Sequence, residues 1–496
     1  MALVSLLFLA AALAASRTSA QAAIRRGDEA PFMHVPLATA TDYASGRVHK
    51  QLMAGMVQYV STIRQDGVRA ADAVDPLLGI AAIREYTPCV GGYGGTQENN
   101  TYACRNLDLY AFVPHGELGS AVKVGNDIWG WAHTDVQGAT TREFGLVGQM
   151  DGTAFVEVLS DGQIAYLGRL ATQTTSEIWR DIKVIGHHAY IGSEALGHGI
   201  QVFDLHKLLD KSLLASPKVF SIETDLTALY DGLPLGSSHN VVSHEDKNLI
   251  IAVGALPRTD ICGAGLIFID VSDPSKPTGV GCAGDDGYVH DAQCLTYIGP
   301  DARYNGSDIC YAFNEDTFTI YDITNPADTV TLSVTYYYGV AYSHQGWVID
   351  EKNQTHLLLN DELDELSQSG WAADQRTTTY IWDITDLERP VLTGHYKSPA
   401  VAIDHNLYVR NGLAYETNYN SGLRVVDVSS VKQDPTGAGF FEAAFFDVHP
   451  EDDETNGSAE IGGAWSSYPY FDSGYILVNT LERGLFVVKY NNTGGL

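Results

Sequence analysis

The feature that most constrains this chain is a unit of three short apolar runs that recurs along its last two thirds. In residues 179–205 the runs are DIKVI, HAYIGSEA and GIQVFDL, separated by Gly, Ser and His. Runs of this length, rich in β-branched and aromatic residues and bounded by turn residues, predict antiparallel strands. The unit therefore predicts a β-meander.

The third run of this unit recurs seven times, with alternating apolar residues and usually a closing Asp. Its copies lie at 153–159, 199–205, 265–271, 317–323, 378–384, 422–428 and 484–490. The closing Asp precedes a turn, so its carboxylate is expected to accept N–H groups of that turn. A unit of about four strands repeated seven times is typical of a propeller. The predicted fold class is therefore all-β, a seven-bladed β-propeller with a short, partly helical N-terminal extension.

A propeller must close its ring, and the last copy ends at Tyr490 with only three strands visible. Residues 106–113, upstream of the first copy, are expected to supply the outer strand of that last blade. The predicted organisation is a signal peptide at 1–20, an extension at 21–88, the propeller at 89–490 and a tail at 491–496. Within the extension, helical spacing of apolar residues between Leu52 and Val60 predicts a helix.

The N-terminus and the cysteines both point to secretion. Residues 1–20 combine an apolar stretch with a small-residue end, which is typical of a cleaved signal peptide; an uncleaved anchor stays open, although the stretch is shorter than the ~20 residues that a span needs. Six cysteines, an even number, suit disulfides in an oxidising compartment. We expect the pairs Cys89–Cys104, Cys262–Cys282 and Cys294–Cys310. Glycosylation sequons lie at Asn99, Asn305, Asn353, Asn456 and Asn491.

The formal charge of −31 limits the partners that the chain can have. Such a surface repels nucleic acid and anionic membranes, and no segment after the signal is long enough to span a bilayer. The expected protein is secreted and extracellular, and its expected partner is another extracellular protein, a glycan or a small ligand.

The repeats resemble those of the LVIVD-repeat proteins, and specifically of the secreted choice-of-anchor B family. The matching segments include YACRNLDLYAFVPHGELG, HDAQCLTYIGPD, SHQGWV with LLNDELDE, and IDHNLYV. The resemblance covers about residues 86 to 490 and implies an extracellular seven-bladed propeller, but no biochemical activity. The chain departs from the family in its added residues before Cys89 and in its C-terminus, which carries no anchor.

Four histidines occupy equivalent positions in the first runs: His239, His290, His344 and His405. Each is followed by a polar residue, and Arg180 with Asp181 forms the equivalent pair of an earlier copy. The first strand of a blade is innermost, so such columns should surround the axis. Because strand residues alternate between faces, only one column is expected to face the channel.

Two interpretations of the histidines stay open. In one, they are channel ligands of a divalent cation, or acid and base groups near neutral pH. In the other, they bridge blades through hydrogen bonds. Repetition favours bridging, because catalysis needs different groups in different roles.

The ends of the second runs carry carboxylates that are expected to form an acidic rim. They are Glu194, Glu315, Asp361 and Glu416, with Asp316, Glu362 and Glu482 beside them or equivalent to them. Such a rim should be paired with His or with Arg180, or neutralised by a cation such as Ca²⁺. The loop at 361–366 is also compatible with Ca²⁺, but it lacks the spacing of an EF-hand, and a solvated loop is favoured.

Two functional hypotheses follow. The first is a secreted binding scaffold that presents an axial face lined by His, Asp and Glu to a protein, glycan or small ligand. The second is a metal-dependent extracellular hydrolase or lyase with its site at the axis. The expected ligand-binding residues are Arg180, Asp181, Glu194, His239, His290, Asp291, Glu315, His344, Asp361, His405 and Glu416. The expected metal ligands are His239, His290, His344 and His405.

Overall fold

The computed structural model describes residues 38–69, 80–97, 100–455 and 457–491. The predicted signal peptide, the sequon residues Asn99 and Asn456, and residues 492–496 of the predicted tail lie outside the described residues. Two helices come first, α1 (Ala40–Ala44) and α2 (Arg47–Arg69). Three strands follow them: β1 (Tyr93–Gln97), β2 (Asn100–Arg105) and β3 (Leu107–Pro114).

Seven antiparallel meanders then follow one another along the chain. Blade 1 contains β4 (Gly125–Thr134), β5 (Thr140–Gln149), β6 (Gly152–Val158) and β7 (Ile164–Ala171). Blade 2 contains β8 (Arg180–Ile185), β9 (His188–Ser193) and β10 (Ile200–Asp204); the next strand, β11 (Lys218–Phe220), joins β7 of blade 1, and β12 (Ala228–Tyr230) completes blade 2. Blade 3 contains β13 (Asn240–His244), β14 (Leu249–Val253), β15 (Leu266–Asp270) and β16 (Thr278–Ala283).

The remaining blades repeat the pattern. Blade 4 contains β17 (Asp291–Thr296), β18 (Asp308–Phe313), β19 (Phe318–Asp322) and β20 (Val330–Thr335). Blade 5 contains β21 (Ser343–Val348), β22 (His356–Asp361), β23 (Arg376–Asp383) and β24 (Val391–Val401), with the short helix α3 (Asp364–Ser367) after β22. Blade 6 contains β25 (Asn406–Arg410), β26 (Leu413–Thr417), β27 (Leu423–Asp427) and β28 (Phe441–Phe446), and blade 7 contains β29 (Ala464–Tyr468), β30 (Tyr475–Thr480) and β31 (Gly484–Tyr490).

The blades form a closed ring. The innermost strands β4, β8, β13, β17, β21, β25 and β29 each contact the next, and β29 contacts β4. The fourth strand of blade 7 is β3, which pairs antiparallel with β31 from Leu107 opposite Tyr490 to Pro114 opposite Gly484. The all-β, seven-bladed propeller with a partly helical N-terminal extension is confirmed.

The core lies between the blades. Every residue of β8 and β9 is buried, because a blade packs between two neighbours and both of its faces are covered. The runs that form these strands are therefore almost continuously apolar, as is usual for sheets that are covered on both sides.

The three predicted disulfides are confirmed, and no cysteine is free. They join Cys89 to Cys104, Cys262 to Cys282 and Cys294 to Cys310. Cys294 and Cys310 lie opposite each other on β17 and β18. A disulfide of this kind ties the first hairpin of blade 4 together.

The turn role of the third-run aspartates is also confirmed. Each accepts a hydrogen bond from the backbone N–H two residues later, at 2.8 to 3.0 Å. The residues are Asp204, Asp270, Asp322, Asp383 and Asp427. The repeated Asp is thus a structural element of the turn into the outer strand.

Helix α2 covers one end of the propeller axis. Its buried residues Val48, Leu52, Met56 and Val60 are spaced by four and form one apolar stripe. The stripe belongs to the same apolar cluster as Trp179, Ile403, Tyr419 and Trp465 of the propeller. Among the described residues, no helix is long and apolar enough to cross a membrane.

Candidate metal centre at the propeller axis

A cavity of about 20 Å³ lies on the axis directly beneath α2. This is room for one water molecule or one ion. The residues that line it include His239, His290, His344, His405, Glu362, Trp179 and Trp465, with Leu52, Met53 and Met56 of α2. The four predicted histidines are therefore brought together, and all are buried.

Both polar columns line this cavity, which corrects the expectation that only one would. His290 and Asp291 are both in its wall, as are His405 and Asn406. Strict alternation does not apply because these histidines come one residue before the regular strands begin. His344 lies inside β21, where the register shifts between Ser343 and Gln345.

Three of the histidines are fixed in one tautomer by the next blade. Nδ1 of His290 lies 2.9 Å from the backbone oxygen of His344. In the same way, Nδ1 of His344 lies 3.1 Å from the backbone oxygen of His405, and Nδ1 of His405 lies 2.7 Å from that of Trp465. Because a carbonyl oxygen only accepts, Nδ1 must carry the hydrogen, and the lone pair of the neutral ring is on Nε2. These bonds bridge blades as the structural interpretation proposes, and they also leave Nε2 available to a metal.

Glu362 supplies a carboxylate on the same side of the cavity. Its oxygens lie 3.6 Å from Nε2 of His344 and 4.0 Å from Nε2 of His405. One ligand atom each of His290, His344 and Glu362 lies within 4.8 Å of the others. The hydroxyl of Tyr419 donates to Glu362 Oε1 at 2.6 Å and orients the carboxylate.

Burial keeps the three histidines neutral. It lowers the pKa of His290 and His344 well below the usual range, with the neighbouring imidazoles adding to the effect, and it lowers the pKa of His405 to about 3. Burial also raises the pKa of Glu362 to about 7. Neutral imidazoles are the protonation state that a bound metal requires, whereas Glu362 must lose its proton to bind one.

His239 differs from the other three histidines. Its Nδ1 lies 2.6 Å from Glu194 Oε1. Burial alone would lower the pKa of His239, but the charge of Glu194 and the hydrogen bond to it outweigh burial and raise the pKa. His239 is therefore paired with Glu194, and one ligand atom each of His49, Glu194 and His239 lies within 4.8 Å of the others.

The rim around the cavity holds the N-terminal segment in place. His49 of α2 shares a hydrogen bond of 2.7 Å between Nδ1 and the Tyr342 hydroxyl, and its Nε2 lies 3.8 Å from Glu194. Arg258 makes two hydrogen bonds to Glu315, of 2.6 and 2.9 Å, and donates to the backbone oxygen of Tyr43 at 3.2 Å. Glu194 and Glu315 thus link the propeller to α1 and α2.

A second group of polar side chains lines the same cavity. Nζ of Lys183 is 2.7 Å from Asp181 Oδ1 and 3.8 Å from Asp127 Oδ2. Asp181 also accepts the backbone N–H of Val241 from the next blade at 2.7 Å. Burial raises the pKa of Asp291 to about 7, although Lys183 opposes this. Asp181 and Asp291 therefore line the same cavity as the histidines, and Asp181 also bridges to the next blade.

Arg180, Asp361 and Glu416 are not among the residues that line this cavity. Arg180 donates to the backbone oxygen of Gln149 and to Thr172 of blade 1, so Trp179 takes its place at the axis. Asp361 accepts hydrogen bonds from Tyr337, Ala341, Tyr342 and Leu363. Glu416 accepts one from Thr379 of blade 5.

Two contributors to the site, Asp127 and His49, were not predicted from the sequence, and the role of a third was underestimated. Glu362 appeared only as a neighbour of Asp361, although it is the residue that faces the histidines. Asp127 precedes Ile128 as Asp181 precedes Ile182, and this parallel could have identified it. His49 interrupts the apolar stripe of α2, which is a weak signal because one polar residue in such a stripe is common.

Comparisons with known proteins give one short family match and a similarity to solved structures. A family model described as LVIVD repeat matches residues 261–282, in blade 3. Among solved structures, the chain is similar to the β-propeller domain of Cps50 (Swd1) from Myceliophteria thermophila, with 10% identity and a TM-score of 0.44 over 74% of this chain and 97% of that one. No curated protein matches the sequence.

Proposed function

We propose that this protein is a secreted binding scaffold braced by one divalent transition-metal ion at the propeller axis. The ligands are Nε2 of His290, His344 and His405 and the carboxylate of Glu362. One observation carries the proposal: three Nδ1–H groups are committed to backbone oxygens, so three Nε2 lone pairs remain beside a carboxylate at a cavity of one-ion size. Imidazole and carboxylate ligands suit Zn²⁺, Fe²⁺ or Mn²⁺.

The closure of the cavity favours a scaffold over a metal-dependent hydrolase or lyase. A substrate would have to reach the ion, and Leu52, Met53 and Met56 of α2 cover that route. Within blades 4, 5 and 6 the ion would join residues that already contact each other across blade boundaries. Its role would then be to fix the inner ends of these blades.

The ligand-binding face that we propose is the opposite end of the axis. A pocket of about 490 Å³ opens there, and Lys183 belongs to the wall of both this pocket and the metal cavity. Its size is within the range of small-molecule sites. Its aromatic wall includes Trp129, Trp131, Trp347, Tyr468 and Tyr470, side chains that suit a glycan, a small ligand or an aromatic anchor of a partner protein.

Secretion and membership of the choice-of-anchor B family are part of the proposal. Three disulfides support an oxidising compartment, and the LVIVD repeat in blade 3 agrees with the resemblance of the whole repeat region. The sequons at Asn305 and Asn353 lie on exposed turns, where a glycan can be attached.

Elemental analysis of the purified, secreted protein tests the metal site. We expect about one transition-metal ion per chain, and its loss in the double variant His290→Ala/His344→Ala with the circular dichroism spectrum unchanged. The control is His356→Ala/His395→Ala, which alters two histidines outside the cavity. A protein without metal, or a double variant that keeps it, would contradict the proposal.

A glycan array and a small-molecule screen test the binding face. We expect Trp347→Ala to weaken any ligand that they identify by roughly 30-fold, the effect of losing an aromatic anchor. Trp371→Ala is the control, because Trp371 packs against Tyr338 and His395 outside this pocket. Equal effects of the two variants would show that the ligand does not bind in this pocket.

A further inference from the structure

A second group of carboxylates lies near the axial site but does not belong to it. Asp364 and Glu365 are the first residues of α3, and Asp404 precedes β25. One oxygen of each lies within 4.8 Å of the others. All three side chains have no exposure to solvent. The loop at 361–366 is therefore buried, which corrects the prediction that it is solvated.

Three of the six carboxylate oxygens in this group have no hydrogen-bond partner, and Glu365 Oε2 accepts from the backbone N–H of Asp404 at 3.4 Å. Asp364 Oδ2 accepts from the Tyr380 hydroxyl at 2.6 Å, and Glu365 Oε1 accepts from the backbone N–H of Thr378 at 2.9 Å. Both oxygens of Asp404 and Oδ1 of Asp364 are buried without any hydrogen-bond partner. Asp404 is thus a fully buried, unpartnered carboxylate that faces two other carboxylates.

The charged groups around Asp404 cannot compensate for it. Those that act most strongly on it are Asp364, Asp361, Glu416 and Glu362, which are themselves acidic. Buried ionised carboxylates are stable only when they are paired or bound to a metal. The three residues must therefore take up either protons or a cation.

We propose that Asp364, Glu365 and Asp404 bind a Ca²⁺ ion. The available ligand atoms are all oxygens, and Ca²⁺ prefers oxygen ligands in a flexible arrangement, whereas transition metals in proteins favour sites with nitrogen or sulfur. The two oxygens of Asp404 and Oδ1 of Asp364 are free to face the ion. This site is additional to the proposed axial metal and differs from it in ligand chemistry.

The position of the Ca²⁺ site gives it a role at the axis. Asp364 lies two residues after Glu362, and Asp404 is the residue before His405. An ion that joins Asp364 to Asp404 would hold the backbone on both sides of the axial cavity. Asp364, Glu365 and Asp404 are therefore positioning residues for Glu362 and His405.

Calcium analysis and thermal unfolding of the full, secreted chain test this site. We expect about one Ca²⁺ per chain after purification. Unfolding and refolding in EGTA should remove it and lower the Tm by roughly 3 °C, and CaCl₂ but not MgCl₂ should restore the Tm. A wild-type protein without Ca²⁺, or with a Tm that does not respond to it, would overturn the proposal.

The variant Asp404→Asn distinguishes bound Ca²⁺ from shared protons, because the two cases predict different changes in the Tm. If Ca²⁺ is bound, losing a charged ligand lowers both the Ca²⁺ content and the Tm. If the carboxylates share protons instead, the amide removes repulsion and the Tm stays the same or rises. Asp364→Asn gives the same comparison if Asp404→Asn is not secreted.

The control variant is Asp447→Asn, which alters a buried carboxylate outside the group and should keep its Ca²⁺. Transition metal and Ca²⁺ are measured in the same samples. In Asp404→Asn we expect Ca²⁺ to be lost and the transition metal to be bound more weakly, because Asp404 positions His405; loss of the transition metal with Ca²⁺ retained would overturn the Ca²⁺ site. A wild-type protein that holds Ca²⁺ but no transition metal would count against the axial site only. Loss of Ca²⁺ in Asp447→Asn as well would overturn the assignment to these three residues.

Discussion

At the scale of single residues, three axial histidines, His290, His344 and His405, use their two ring nitrogens differently. Nδ1 donates to the next blade and holds the ring in place, while Nε2 faces the cavity. A repeated residue can therefore brace the propeller and bind a metal at the same time. Repetition does not by itself favour one role over the other.

Tyr419 tests the role of the residues that support the metal ligands. Tyr419→Phe removes the hydroxyl that donates to Glu362. We expect the affinity for the axial metal to fall by roughly 10- to 100-fold, as is usual when the partner of a ligand is lost, with little change in stability. Competition with a chromogenic chelator measures this. Tyr415→Phe is the matched control, and an equal loss in both variants would contradict a specific role of Tyr419.

His449 predicts how stability changes with pH. Burial alone would lower its pKa, but the hydrogen bond to Glu482 and the charges of Glu482 and Glu451 raise it from 6.5 to about 9. Because the folded state binds this proton more tightly, protonation of His449 stabilises the folded state fully below pH 6.5. This contribution is lost as the pH rises to about 9. It amounts to on the order of 2 kcal/mol after allowance for partial exposure.

The measurement is the free energy of unfolding of the wild type minus that of His449→Gln, taken from denaturant titrations between pH 6 and pH 9.5. We expect this difference to decrease across the interval. A difference that is constant with pH would show that His449 gains no proton affinity on folding.

At the scale of elements, α2 decides whether the metal cavity is open or closed. Leu52→Glu places a charge above the histidines, where burial without a partner costs more than about 1.4 kcal/mol. We expect α2 to separate from the propeller and the axial metal to be lost to a chelator roughly tenfold faster or more.

The control is Val57→Glu, on the exposed side of the same helix, where the side chain is 51% exposed. Stopped-flow metal transfer and limited proteolysis within α2 follow the change. If both variants behave like the wild type, α2 does not limit access to the axis.

At the scale of the whole molecule, the ring depends on a strand that comes from the other end of the chain. Phe112 of β3 is fully buried, and its ring lies 4.5 Å from that of Phe486 in β31. We expect Phe112→Ala to lower the free energy of unfolding by about 3–5 kcal/mol. Guanidinium denaturation measures this, with Tyr336→Ala, at an exposed outer strand end, as the control. A loss below about 1 kcal/mol would mean that ring closure contributes little to stability.

The regular repeat of the strand pattern made the fold predictable. Parts of the site were not predictable, because they depend on local chain direction and on hydrogen-bond partners that the repeat pattern does not show. Four histidines in one column were enough to place them at the axis. The choice between Asp361 and Glu362 depended on how the chain turns after β22, and the outward direction of Arg180 depended on acceptors in the neighbouring blade. Helix α2 is not part of the repeat, so nothing in the pattern indicated that it would cover the histidines.

Anomalous diffraction from crystals of the purified protein, recorded on both sides of the absorption edge of the transition metal that elemental analysis finds, tests the axial metal site most directly. The expected result is one peak beneath α2, at about 2.0–2.2 Å from Nε2 of His290, His344 and His405 and from the carboxylate of Glu362. A cavity without such a peak, in crystals that retain the native fold, would contradict the axial metal site.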